Sequence, residues 1–374
     1  MGGTGVTAFG KHVERSAASL AQEAVIAALQ DTGIIPRQLD AVFLGSVYQT
    51  LGAGQRLLKD IGVVGMPIVN VENACASSTT AVIEATAWIR AGMADVALCV
   101  GVEQLSDGPG ATPELADPVS AMGANWPVMY AIKTRAKMER DGLTAEQIAM
   151  VSVKNRRHAM ENPKAHLRSP LSIDDVLGSR PVADPLTVFE CCPPSDGAAA
   201  VVLLSPAGAR RLGGAARRVR IRGVGLTSGR LTDGAVEIVP DVTARTARAV
   251  YEQSGLGPDD LQLCEVHDAF APAEIFHYES LGLCAQGEGG KYVESGHADI
   301  GGGGVAVNPG GGLLSRGHPL GATGIAQICE VADQLRGRCG GRQVDAARVG
   351  LTHAMGGTVY DLESNACAIT VLSA

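Results

Sequence analysis

The chain has 374 residues, 46% of them hydrophobic, enough to bury two core-sized units. Its 31 Lys+Arg against 39 Asp+Glu leave a net charge of -8, which disfavours nucleic-acid binding, since that calls for a basic surplus. No stretch is long and apolar enough to span a membrane, no charged-then-apolar leader opens the chain, and nine scattered cysteines fit a reducing, cytoplasmic setting better than a disulfide framework.

In chain order, the opening MGGTGVTAFG carries a GGTG too weak to be a dinucleotide fingerprint. Residues 27–46, AALQDTGIIPRQLDAVFLGS, read as helix, Gly stop, Pro-containing turn and apolar strand. Residues 249–268, AVYEQSGLGPDDLQLCEVHD, repeat that order, with Gly33, Pro36 and Leu39 matched by Gly255, Pro258 and Leu261 at one constant offset. Residues 94–101 and 347–353 read as buried strands, each preceded by a Gly-flanked turn and an Ala-rich helix at 75–91 and 318–336. Two similar α/β halves follow, each a sheet covered by helices. We place the first over 1–105 with 186–206 and the second over 217–374; residues 106–185, with an Arg/Lys-rich helical run from Lys133 to Arg157, read as an inserted loop domain. Residues 207–217 read as the connection into the second half.

Four segments hold residues that could carry chemistry. In VNVENACASSTTAVIEA (69–85) a strand runs into Cys75 and a helix follows at once, so the helix dipole and free N–H groups are expected to favour the thiolate and a developing oxyanion. In EVHDAFAPAE (265–274), His267 and Asp268 end a short strand, where side chains project into the crevice at its carboxyl end. In VNPGGGLLSRGHPLGATGIAQ (307–327), a glycine-dense loop containing Asn308 leads to His318-Pro319 at a helix start. If the halves are duplicates, His318 occupies the place in the second that Cys75 occupies in the first, and a Cys–His pair is one way to make a thiolate. In LTHAMGG (351–357), Gly356 and Gly357 could offer N–H donors and His353 could line the same pocket. A buried structural cysteine, a satisfied core histidine and an ordinary strand-to-turn glycine pair are the bland readings of the same residues. Neither a paired C-x-x-C set nor H-E-x-x-H occurs, so no metal site is expected.

ENACAS, HDAF, NPGGGLLSRGHPLGATG and THAMGG, in that order, resemble the thiolase superfamily, in the sterol-carrier-protein branch where HD-x-F replaces the Asn-Glu-x-Phe of biosynthetic thiolases. KNRRHAMENP (154–163) and FECCPPSDGAAAVVL (189–203) also look like bacterial members. The resemblance covers nearly the whole chain and implies a duplicated fold with a five-layered α-β-α-β-α core. It also implies an acyl-CoA C-acyltransferase that cleaves a 3-oxoacyl-CoA with CoA, or runs the reverse Claisen condensation. In it Cys75 would be the acylated nucleophile, His318 its base and His267 part of one oxyanion hole. Gly356 or Gly357, with the Cys75 amide, would form the other. CoA, a co-substrate rather than a bound cofactor, would lie under the insertion, with basic residues near 133–157 as a phosphate patch.

Three departures from the pattern stand out. The HD-x-F position is Ala269, no cysteine immediately precedes Gly356-Gly357, and Cys367 lies later in a strand, so the family's second cysteine has no counterpart and proton transfer falls to His267, His318, His353 or water. Ser78 stands where the motif usually continues with Gly and is expected to narrow the pocket. The chain opens where relatives begin with a strand before Gly-x-Gly, so an incomplete first strand or a misplaced start is expected. The resemblance further implies a homodimer or dimer of dimers and a small zinc-ribbon/OB-fold partner. A thiolase-like aldolase and a non-catalytic lipid-carrier or scaffold subunit are the alternatives.

Overall fold

Two five-stranded sheets with matching topology organise the chain. The computed structural model describes residues 1–106, 121–123, 125–213, 219–231, 241–357 and 363–374. In the first sheet the order is β1 (Thr4–Val6), β7 (Gly197–Leu204), β4 (Val96–Glu103), β2 (Ala41–Gly45) and β3 (Ile68–Val71). In the second it is β8 (Arg220–Thr227), β12 (Cys367–Ser373), β11 (Val349–Met355), β9 (Leu263–Glu265) and β10 (Ala306–Val307). Each sheet runs antiparallel, antiparallel, parallel, parallel in that order, so the duplication read from Gly33/Pro36 and Gly255/Pro258 is a duplication of topology. The strands β5 (Pro181–Ala183) and β6 (Leu186–Thr187) form a separate hairpin.

Helices complete five layers. α1 (Ala17–Thr32) covers the outer face of the first sheet, with Leu20 and Val25 in one apolar cluster with Val42, Leu44, Leu98 and Val100. α2 (Ser77–Arg90) and α7 (Leu320–Arg336) lie between the sheets, where Val82, Ile325 and Ile328 share a core with Phe43, Val201, Leu263 and Leu372. Phe43 thus faces inward while Val42 and Leu44 face outward. A strand buried on both faces reads as a continuous apolar run, as AVFLG does. Each such buried Leu, Ile or Phe contributes roughly 1.5–3 kcal/mol. α5 (Asp241–Ser254) and α6 (Ala271–Ser280) close the outer face of the second sheet through Val242, Val250 and Ile275.

The central helices meet the strands and each other at two glycines. A Cβ on Gly321 would stand 2.5 Å from the Val102 carbonyl oxygen, and one on Gly324 would overlap Thr79. The GHPLGATG block is therefore shaped by packing as well as by chemistry.

Within the insertion the basic run is two helices rather than one: α3 (Trp126–Asp141) ends at Gly142, φ 72°, and α4 (Ala145–Met160) begins behind Thr144. The Thr144 hydroxyl accepts from the Gln147 N–H and the Gln147 side chain accepts from the Thr144 N–H, a reciprocal cap that favours a fresh helix start over a continuous rod. Among the described residues no helix is long and apolar enough to cross a membrane. The expected connection starts in a short helix at Pro206–Arg211, and its last four residues, 214–217, lie outside the described residues.

Candidate active site

Cys75 sits in a tight turn between β3 and α2. Ala74 before it has φ 46°, a left-handed conformation that costs a residue with a Cβ about 1 kcal/mol or more. Local bonds hold the turn: the Ala74 N–H donates to Glu72 at 2.7 Å, the Asn73 N–H donates to the Ser77 hydroxyl at 2.8 Å, and that hydroxyl donates to the Ala74 carbonyl at 2.6 Å. Cys75 keeps partial solvent access, yet protein crowds the thiol closely enough to push its pKa up to about 12, through loss of hydration first and the Glu103 charge second. That overturns the expectation that the helix start would by itself favour the thiolate. A hydrogen bond from the cysteine's own amide works in that direction but is outweighed. Cys75 at rest is a thiol, and it would need a base to act as a nucleophile.

His318 is placed to be one. It is buried, and its Nδ1 lies 2.8 Å from the Thr323 hydroxyl, which spends its proton on the Pro319 carbonyl at 3.0 Å. A hydroxyl has one proton, so Nδ1 must donate, which leaves the lone pair on Nε2. Burial, then the nearby His267 and Arg316 charges, hold His318 well below the ordinary histidine range, so the ring is neutral and able to accept a proton. His267 meets it edge-on, ring centres 5.0 Å apart, and its Nδ1 is buried with no hydrogen-bond partner among the described residues. One ligand atom each from Cys75, His267 and His318 lies within 4.8 Å of the other two. Two helix starts from the two halves, remote in sequence, thus bring a thiol and two neutral imidazoles to one point.

Comparison with known proteins gives the family. Residues 3–207 match the thiolase N-terminal domain and residues 230–370 the thiolase C-terminal domain-like family. The chain belongs to the thiolase family. It is 40% identical to benzoylsuccinyl-CoA thiolase subunit BbsB of Thauera aromatica over 95% of this chain and 94% of that one. It is 37% identical to the acetyl-CoA acetyltransferase of Methanothermobacter thermautotrophicus over 95% of each, and 39% identical to sterol carrier protein 2 of Bos taurus, of which it covers 69%. Among solved structures, an Ltp2-ChsH2(DUF35) aldolase superposes with TM-score 0.85 at 27% identity, covering 100% of this chain and 97% of that one. Human mitochondrial 3-ketoacyl-CoA thiolase superposes with TM-score 0.78 at 18% identity, covering 100% and 98%, a likeness of fold. As a member of this family the chain is an enzyme of the acyltransferase class.

The thiolase motifs do not all point into the site. His353 shares a strand face with Leu351 and Met355, which pack in the outer core, whereas Ala354 faces Ala76 beside the nucleophile. The His353 ring accepts from the His267 N–H at 3.4 Å, bonds Thr243 at 3.1 Å and packs on His277, so it backs His267 rather than lining the pocket. Asn308, φ 55°, is likewise structural: its side chain accepts from the Val266 N–H and donates to Glu274, both within 2.8 Å. Ser78 turns to the neighbouring helix, where its hydroxyl accepts from the Ile325 N–H at 3.2 Å, and it does not narrow the pocket. The Gly356 N–H is spent on the Ala366 carbonyl at 2.8 Å. Gly357, φ 64°, lies where a side chain would touch Ala74 and Trp126, and among the described residues its N–H has no acceptor. Cys367 is buried on the outer side, near the Thr243 hydroxyl.

The basic run is partly buried and partly open, with Arg135, Arg140 and Arg157 exposed. Lys137 is buried between Glu279 and Asp141, Lys154 is buried against Glu274, Arg156 bonds Ser315, and Arg135 and Arg157 pair with Asp184 and Asp299. A groove of about 500 Å³ between α3 and the β5–β6 hairpin, lined by Val128, Ile132, Arg135 and Ala183, contains none of Cys75, His267 and His318 and is a trough on the insert.

Four neighbours of the site escaped sequence reasoning. Thr323 fixes the His318 tautomer, and its signal was its place inside the glycine-dense block, five residues after the histidine. Burial, and then charges on the nearby Cys75 and Cys192, raise the pKa of Tyr130, and nothing in sequence marks it. Cys192 and Pro194, in ECCPPSDG, run beside Ala269 and His318. The double cysteine was the visible signal.

Proposed function

We propose that this chain is an acyl-CoA C-acyltransferase that cleaves a 3-oxoacyl-CoA with CoA, or runs the reverse condensation, through an acyl-thioester on Cys75. The observation that carries the reading is the approach of Cys75 to His267 and His318 within 4.8 Å, with His318 presenting a lone pair on Nε2. His318 takes the thiol proton as Cys75 attacks the ketone carbonyl. Splitting the transfer at a covalent thioester replaces one difficult step by two easier ones. His267, neutral because burial lowers its pKa to about 4, offers a ring N–H to the substrate thioester oxygen, where enolate charge develops as the C–C bond breaks. The amides of Cys75 and Gly357 flank the other oxygen. CoA is a co-substrate, and the inserted segment over 106–185 is its expected cover.

One relative is by name a subunit, and the aldolase neighbour is a complex with a DUF35 protein. Both favour a small zinc-ribbon/OB-fold partner for this chain. We assign it to the cytoplasm, as a homodimer or dimer of dimers in the manner of its family. The same aldolase neighbour, together with Ala269 in place of the family cysteine, supports a second reading as a carbon–carbon lyase that needs no CoA.

A panel of CoA thioesters, followed by thioester absorbance in both directions with and without the partner, tests the proposal. Thiolysis of a 3-oxoacyl-CoA that disappears in Cys75→Ala is the expected result. CoA-independent cleavage of a 3-hydroxyacyl-CoA that survives Cys75→Ala would replace it with the aldolase reading.

A further inference from the structure

Thioester chemistry of this kind needs a group that gives and takes a proton at the substrate carbon, and the two places where the family keeps a second thiol are empty of sulfur here. Ala269 fills the first, and Cys367 lies on the wrong face of the second sheet to serve the second. His353 backs His267, and His318 is committed to Cys75. Yet the backbone of another cysteine runs beside the vacant position. The segment after the β5–β6 hairpin runs beside the HDAF loop: the Cys192 N–H donates to the Ala269 carbonyl at 2.9 Å, Cys191 forms a bridge with Phe270, and two residues on Pro194 forms a bridge with His318. Cys192 is therefore held on the backbone of the very residue that lacks the sulfur, between the loops that carry His267 and His318.

Its surroundings agree. Cys192 packs in one cluster with Ala269, Phe270, Leu313 and Tyr130. It retains partial solvent access, as Cys75 does. Burial first, then charges on Cys191, Asp268 and Cys75, hold the Cys192 thiol well above its ordinary range, and burial ahead of charges on Cys75 and Cys192 raises Tyr130. The neighbouring Cys191 belongs to the same cluster, but its Sγ is turned to the Thr187 carbonyl, 3.3 Å away.

We propose that Cys192 is the second thiol of the site, the acid and base at the substrate α-carbon, supplied by the ECCPPSDG segment in place of the family positions. The inference rests on the thioester reading above. In the cleavage direction, the C–C bond breaks as its electron pair moves to the α-carbon of the departing thioester. That carbon takes the proton from the Cys192 Sγ–H, leaving a Cys192 thiolate. The thiolate takes the proton of incoming CoA, and the CoA thiolate attacks the carbonyl of the Cys75 thioester, releasing acyl-CoA and the Cys75 thiolate, which recovers its proton from His318. No oxidant or further reactant enters. A thiol whose ionisation is made costly by burial is a reluctant acid at rest, but it returns its proton readily once a thiolate has formed.

The experiment compares wild type, Cys192→Ala, Cys192→Ser and Cys191→Ala, each with its partner. It follows exchange of the α-protons of acetyl-CoA and succinyl-CoA in D2O by NMR, and acylation of Cys75 by intact-mass spectrometry. Wild type and Cys191→Ala should exchange on at least one thioester. Both Cys192 variants should lose exchange by 100-fold or more while acylating Cys75 within threefold of wild type. The near-isosteric serine guards against a folding defect in the alanine variant. Exchange in either folded Cys192 variant at the wild-type rate would overturn the assignment while leaving the thioester reading intact. Wild type that neither acylates nor exchanges would overturn both.

Discussion

Thr323→Val isolates the device that makes His318 a base. In the wild type the Thr323 hydroxyl, its proton committed to the Pro319 carbonyl, can only accept from Nδ1, which keeps the lone pair on Nε2. Valine keeps the volume and removes the acceptor, leaving a buried N–H unpaired or letting the ring change tautomer. Losing such a bond costs about 1–3 kcal/mol, and roughly 1.4 kcal/mol is tenfold in rate, so Cys75 acylation should slow about 10- to 100-fold. Thr323→Ser, which retains the hydroxyl, should stay within about threefold of wild type by the same reasoning. Single-turnover acylation, quenched and read by mass, measures the step without interference from later ones. Substrate binding should change little, because Thr323 is buried with its hydroxyl engaged by His318 and the Pro319 carbonyl. A valine variant that acylates within twofold of wild type would refute the tautomer argument.

Four further outcomes follow from the same geometry. His267, His277, His318 and His353 are all held neutral by burial, His267 near 4 and His277 near 3, so each binds a proton more weakly folded than unfolded. The stability they carry is complete above about pH 6.5 and drains below it, by about 1.4 kcal/mol per pH unit for each, so urea midpoints should fall steeply from pH 6.5 towards pH 4. A flat midpoint over that range would contradict the assignment of neutral rings. Lys137→Met strands the buried Glu279 carboxylate, to which Lys137 donates at 2.7 and 2.8 Å, and should destabilise by about 3–5 kcal/mol in chemical denaturation while folded protein keeps its acylation rate. Gly321→Ala drives a Cβ to within 2.5 Å of the Val102 carbonyl and 2.8 Å of Ser46, so it should cost about 1–3 kcal/mol and lower the melting temperature. Finally, the clustered sulfur and two imidazoles offer soft ligands, so Zn²⁺ should block acylation reversibly, with recovery on adding EDTA.

The sequence pattern showed the architecture because it was written twice. Gly33 and Gly255 both end helices in left-handed conformations, and Pro36–Gln38 and Pro258–Asp260 form the same short turn before corresponding strands. Placing Cys75 and His318 at equivalent helix starts was enough to bring them together. Other features depended on what packs from elsewhere in the chain. The helix start ahead of Cys75 argued for a thiolate, but only the folded enclosure, with Glu103 contributed by a neighbouring strand, reveals that burial wins. His353 sits on the outward parity of β11, and no periodicity in THAMGG says which parity faces the nucleophile. Asn308 and the basic side chains of the insert look available in sequence because their acidic partners, Glu274, Glu279 and Asp299, are more than thirty residues away. Cys192 was visible in a double cysteine, but its closeness to Ala269 exists only after the insert folds back.

The account turns on whether acyl groups pass through sulfur at position 75. Rapid acid quench of the protein, alone and with the proposed partner, with a turned-over 3-oxoacyl-CoA, followed by peptide mass mapping, measures this most directly. We expect an acyl mass on the peptide containing Cys75, formed before product, discharged on adding CoA, and slowed sharply in His318→Ala. Steady turnover with no acyl mass on that peptide at any quench time would contradict it.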